Sequence, residues 1–222
     1  MKNIFSLIAV ASVMTSLSFG DIYTDPIGDI ATGNANLDIT QVEVTNDASN
    51  VYLTLTVDSL DGDWGKYLLF FDMLEGGSGD NDNPWGRDIG GLSGTDYFVG
   101  SWLDGGGGTA GSVYNTGSGW ADNVNPGMTV DWASNSISFT FEDMVTNFTN
   151  AGISGFNFEV ATTGGNWGDP AIDLLGGEGT QPGWGGGSTS IDWMHYEFST
   201  IPAPGVLALF AIAGITRRRR RL

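Results

Sequence analysis

The stretch Val51–Val57, VYLTLTV, places an apolar residue at every second position. A period of two sends alternate side chains to opposite faces of an extended strand, so Val51, Leu53, Leu55 and Val57 face a core and Tyr52, Thr54 and Thr56 face outward. The same alternation returns in Ile137, Phe139 and Phe141, and in Phe156, Phe158 and Val160. Residues 66–73, KYLLFFDM, are apolar almost throughout, as expected of a central strand buried on both faces. Further strands are expected at 37–45, 95–103, 128–132 and 190–199. Within 37–45 the apolar phase slips from Leu37 and Ile39 to Val42 and Val44, which requires a β-bulge near Thr40 and Gln41. A helix is expected at 142–151, because Phe141, Met144, Val145 and Phe148 share one face and Glu142 and Asp143 suit its start. Short strands separated by turn signals predict an all-β chain, an antiparallel β-sandwich of jelly-roll-like form with one short helix. The Gly-rich stretches 76–94, 105–111 and 176–187 read as loops inside one domain at 21–200.

Charge narrows the function classes. The 222 residues carry 26 acids against 8 lysines and arginines, a formal net charge of −18. All the acids lie between residues 21 and 200, where Lys66 and Arg87 are the sole basic side chains. Such a body repels nucleic acid, which needs Lys and Arg to neutralise phosphate. It suits a domain that stays dispersed or attracts cations. With no cysteine, disulfides, thiolate metal sites and a Cys nucleophile are impossible.

The two ends read as addresses. Residues 1–20 have a positive start at Lys2, an apolar run at 4–13 and small residues at Ser18 and Gly20, the layout of a signal peptide with a helical core. Residues 201–222 hold Pro202, Ala203, Pro204 and Gly205, then the uncharged run 206–215, then Arg217, Arg218, Arg219, Arg220 and Arg221. The fifteen residues from Ile201 to Ile215 would make an apolar helix of about 22 Å, short for a comfortable membrane span. Arginines behind it stay on the cytoplasmic side and leave the body outside. This tail resembles the PEP-CTERM sorting signal of bacterial proteins handled by an exosortase, with Ala203 where the usual motif has Glu. The resemblance implies the secretion machinery and an exosortase-type membrane protease as partners, and membrane contact through the tail alone. It also implies an exported protein of the cell envelope, surface or extracellular matrix. The body is similar in outline to family 9 carbohydrate-binding modules and DOMON-like domains. That similarity rests on Asp25-Pro26-Ile27-Gly28-Asp29, on Leu37-Asp38-Ile39 leading into the Val51–Val57 strand, and on Asp96-Tyr97-Phe98-Val99 followed by Tyr114 and Trp120.

Three groups of residues bear on chemistry. His195, the one histidine, is expected to face solvent on its strand with Met194, Tyr196 and Phe198 turned inward, so no catalytic residue is assigned. Hard oxygen ligands gather in Asp80, Asp82 and Asp88, with Asp25 and Asp29 as further candidates, and calcium is the cofactor such ligands prefer. Of eight tryptophans, Trp85, Trp184, Trp120 and Trp167 lie beside glycine and are candidates to stack on sugar rings. Trp132 and Trp193 are expected inside strands, as core residues. The expected function is a non-catalytic surface or matrix protein with calcium-assisted contact to extracellular polysaccharide. The alternative is a polysaccharide hydrolase or lyase working through paired carboxylates. Processing of the tail makes a first prediction: protein recovered from the envelope has an intact mass that excludes Arg217 to Arg221. A mass retaining both residues 206–215 and the arginines overturns it.

Overall fold

The alternating runs form the strands expected of them, joined by several that the sequence does not announce. The computed structural model describes residues 20–199. Residues 1–19 of the expected signal peptide, and the expected sorting tail with Pro202, Ala203, Pro204, Gly205 and Arg217 to Arg221, lie outside the described residues. In chain order the strands are β1 (Asp21–Thr24), β2 (Ile39–Asn46), β3 (Val51–Val57), β4 (Lys66–Asp72), β5 (Ile89–Gly90), β6 (Tyr97–Trp102) and β7 (Gly108–Asn115). They continue with β8 (Gly119–Asn123), β9 (Gly127–Asp131), β10 (Ser136–Phe141), β11 (Gly155–Thr163), β12 (Ala171–Leu174), β13 (Ser188–Thr189) and β14 (Met194–Glu197). The helix α1 (Met144–Asn150) lies between β10 and β11.

One antiparallel sheet runs β1-β2-β3-β10-β9. A second runs β12-β11-β4-β6-β7-β8, with β14 also paired to β11. The two sheets share one core: Val42, Leu53, Leu55 and Phe139 come from the first, and Leu69, Phe71, Phe158 and Val160 from the second. The phase slip in β2 is a register shift between Ile39 and Gln41 against β3, the bulge that the sequence requires. Met144 and Val145 of α1 are buried on the same core, and Phe148 packs against it.

β4 is buried on both faces, for a reason the continuous apolar run only hints at. Its inner residues Leu69 and Phe71 face the first sheet. Its outer residues Leu68 and Phe70 join Ile89, Leu92, Phe98 and Leu174 in a second cluster, packed by Trp85 and Trp193 from the long loops. The strand β6 permits this cover at Gly100, where a Cβ would come within 2.2 Å of the Trp85 ring.

The structure corrects several boundaries. β7 and β8 occupy a region that glycine marks as loop and coil. Their few apolar residues give no alternation, and they form because β7 continues the ladder of β6, from Tyr97 opposite Val113 to Trp102 opposite Gly108. The strand expected at 190–199 is confined to β14, because the backbone amides of Ile191 and Asp192 bond back to Gly176 instead. Trp132 lies just past β9 and is 49 % exposed, not core. There the Asp131 carboxylate accepts the amide hydrogens of Ala133 and Ser134 and turns the chain out of the sheet.

Glu159 sits on β11 between the segments that pair with β14 and with β12. Fully buried, it accepts the Gly176 amide at 3.0 Å, the Val160 amide at 2.8 Å and the Ser190 hydroxyl. Burial outweighs these donors and pushes its pKa up to about 7. The folded chain therefore holds this proton more tightly than the unfolded chain does. The resulting stability is whole below about pH 4.5 and is lost as pH rises through about 7. Glu159→Gln is expected to melt lower than the wild type at pH 5 but to lose less stability between pH 5 and 8. Thermal melts across that range check it; equal slopes in both proteins would place the titration elsewhere.

Candidate functional site

Two exposed indoles come together at the end of the sheets where β4 begins. Trp64 lies in the connection from β3 to β4, and its carbonyl accepts the Lys66 ammonium at 3.1 Å. That ammonium is held in turn by Asp104 at 2.9 Å. Trp184 lies in the 3-10 turn Gly183–Gly185. The two rings are 6.1 Å apart at an interplanar angle of 47°, and stay 40 % and 47 % exposed. They border a cleft of about 340 Å³ together with Gly164, Gly165, Asn166 and Asp169. Clamping a flat ring between parallel faces takes about 7–8 Å, twice the usual carbon–carbon contact distance. At 6.1 Å and tilted, this pair forms a V-shaped platform and not a slot.

The floor depends on a bare backbone. A Cβ on Gly164 would meet Trp184 at 2.8 Å and the Asp169 carboxylate at 2.4 Å. Asp169 accepts the Asn166 amide hydrogen at 2.8 Å and so closes the turn 166–169. That turn is docked on the loop 80–88. The Arg87 guanidinium donates to the Asn166 carbonyl, the Asp88 amide donates to the Asp169 carbonyl at 3.0 Å, and the Gly168 amide donates to the Gly86 carbonyl at 2.8 Å. Residues 31–37 support the platform from beneath. A Cβ on Gly65 would touch Leu37 at 3.0 Å, and one on Gly183 would touch Thr32 at 3.2 Å.

Of the four tryptophans singled out from sequence, Trp184 alone lines the cleft. Trp167 is 80 % exposed and lies over Gly86. Trp85 packs edge-on against Phe98 at 5.8 Å and tilted on Trp102 at 6.2 Å. Trp120 packs against Phe98 and Tyr114 and donates its indole hydrogen to Asp82 at 3.1 Å. Trp85 and Trp120 thus serve the outer cluster. Trp64 was missed, although it shares the Trp-Gly pairing with Trp85, Trp167 and Trp184; that signal cannot rank them.

The acids divide in the same way. Asp80 accepts the amide hydrogens of Gly91 at 2.5 Å and Leu92 at 3.2 Å, and Asp88 accepts the Asn81 side-chain amide at 2.9 Å. With Asp82 taking the Trp120 indole, each carboxylate in this loop has a separate donor, and together they shape the loop. Asp25 and Asp29 instead meet Asp173 of β12, with one oxygen from each within 4.8 Å of the others. The nearby charge of Asp38 acts on Asp25 and Asp173, and its carboxylate accepts the Gly28 amide hydrogen at 2.8 Å. Burial pushes the Asp25 pKa up to about 8, with the charges of Asp173, Asp29 and Asp38 adding to it. Burial likewise pushes Asp173 up to about 7, although the Ile39 amide hydrogen opposes the rise. His195 is exposed on β14, facing outward as expected, with Nδ1 2.9 Å from the Asn157 side-chain oxygen.

The chain matches no protein-family model and no curated protein. Packing separates the indoles into two groups. Trp85→Ala is expected to lower stability by about 3–5 kcal/mol, scaled down for its partial exposure. Trp184→Ala is expected to change it by about 1 kcal/mol or less. Denaturant unfolding of both variants checks this; equal losses would make Trp184 a packing residue.

Proposed function

We propose that the body is a jelly-roll-like β-sandwich that binds extracellular polysaccharide through the Trp64–Trp184 platform. The observation that carries this reading is the pair of solvent-exposed indoles bordering one cleft with Asn166 and Asp169. Aromatic faces suit the C–H faces of pyranose rings, and a few fixed polar groups beside them suit hydroxyls. The Asp169 carboxylate is held by the Asn166 amide hydrogen, so it meets a ligand already oriented.

The same cleft supports recognition over cleavage. Acid-pair hydrolysis of a glycosidic bond needs two carboxylates flanking it. Among the described residues that line the cleft, Asp169 is the one carboxylate. The molecule is a non-catalytic surface or matrix component in this reading. It is exported by its signal peptide and released or attached when an exosortase-type protease handles the tail that begins at Ile201.

Glycan-array binding of the purified protein tests the reading. The wild type is expected to retain a defined set of polysaccharides. Trp64→Ala and Trp184→Ala are each expected to weaken that binding at least tenfold, the loss of one stacking face, about 1.4 kcal/mol. Gly164→Ala, which pushes a methyl group into the floor, is expected to do the same. Retention of full affinity in both tryptophan variants removes the platform from the function.

A further inference from the structure

We propose that Asp25, Asp29 and Asp173 bind one calcium ion at the end of the sheets where β2 begins, beside the buried carboxylate of Asp38. The site is independent of the polysaccharide reading and stands on its own geometry. Ligand oxygens at 2.3–2.6 Å from one ion lie at most about 5 Å apart. Asp25, Asp29 and Asp173 each bring an oxygen within 4.8 Å of the other two.

The second observation is the set of buried oxygens without a donor. Asp38 is 3 % exposed, and its Oδ1 has no hydrogen-bond partner. Its other oxygen takes the Gly28 amide hydrogen, which fixes the carboxyl against the turn between Asp25 and Asp29. Asp25 Oδ2 and Asp29 Oδ1 are likewise buried and unpartnered. Buried oxygens need a partner, and buried charges need an opposite one. Neither basic side chain of the body is at hand: Lys66 is paired with Asp104, and Arg87 donates to Asn166.

The donor set selects the ion. Oxygens alone, with neither His nor Cys, suit hard cations and disfavour zinc. Several carboxylates in an irregular, largely buried cluster suit calcium, which takes six to eight oxygens flexibly; magnesium demands a regular octahedron and keeps its water. Protonation is the competing way to neutralise the cluster, since burial raises the pKa of Asp25, Asp38 and Asp173.

Titration calorimetry separates the two. The purified full-length protein, stripped with EDTA at pH 7.5, is titrated with calcium chloride alone. Saturable binding of one ion per chain is expected. It should be accompanied by a rise in melting temperature of about 5–10 °C at roughly 100-fold excess over the dissociation constant. Asp29→Asn is expected to lose both signals and Asp38→Asn to weaken them, while Asp82→Asn keeps them. Asp29 is only partly buried, so its variant carries the test if Asp38→Asn fails to fold. Absence of saturable binding, an equal melting shift with magnesium, or unaltered calcium binding in Asp29→Asn overturns the proposal.

Discussion

The carboxylate of Asp173 reaches from β12 in one sheet to the amide of Ile39, where β2 opens the other, and accepts its hydrogen at 2.6 Å. Two hydroxyls reinforce that crossing. Thr162 donates to the Leu37 carbonyl at 2.5 Å, and Tyr67 donates to the Asn36 carbonyl at 3.0 Å. Apolar packing holds the sheets face to face without fixing their register at an open end, because it has no direction. These three buried bonds do fix it, and each is strong because water is absent. Asn36 and Leu37 then lie under Gly62 and Gly65, so the position of Trp64 follows from how residues 36–39 are tied down. The V-shaped platform and the acid cluster are two results of the same tie.

What the sequence disclosed, and what it withheld, follows from the range of the interactions. β3 and β10 were legible because each buries one face against a core, which writes a period of two into the chain. The bulge at Thr40 was legible because it breaks that period. β7 and β8 were not, since strands toward the sheet's margin need only a partner's backbone, and glycine, alanine and threonine serve. Asp25 and Asp29 are close in sequence and could be noticed together. Asp173 lies more than 140 residues away and joins them only through the pairing of β12 with β11. Nor does any local feature separate Trp184, left in solvent, from Trp85, laid on Gly100; the difference is made by the strand beneath.

The second sheet is covered on its outer side by loops, where many two-layer folds use helices or leave a polar face. Leu68, Phe70 and Phe98 make that cover obligatory. Glycine supplies the flat ground on which indoles lie, and the side-chain amide of Asn83 clamps Arg87 through its own backbone at 2.9 Å. The abundance of glycine therefore belongs to a packed layer in this body.

The exit of the chain lies at the far end from the cleft. Ser199 is held by Asn46, whose side-chain oxygen accepts the Ser199 amide hydrogen at 2.8 Å and the Tyr196 hydroxyl at 2.6 Å. Asn46 closes β2 at the end opposite Ile39, while Trp64 and Gly164 adjoin the Lys66 end of β4, about 20 Å away along the strands. The chain therefore leaves the described body at the end opposite the two indoles. Asn46 and the short ladder of β14 on β11 fix the place of that exit. Drawn from its end, that four-pair ladder yields one pair at a time, and the two indoles lie clear of it.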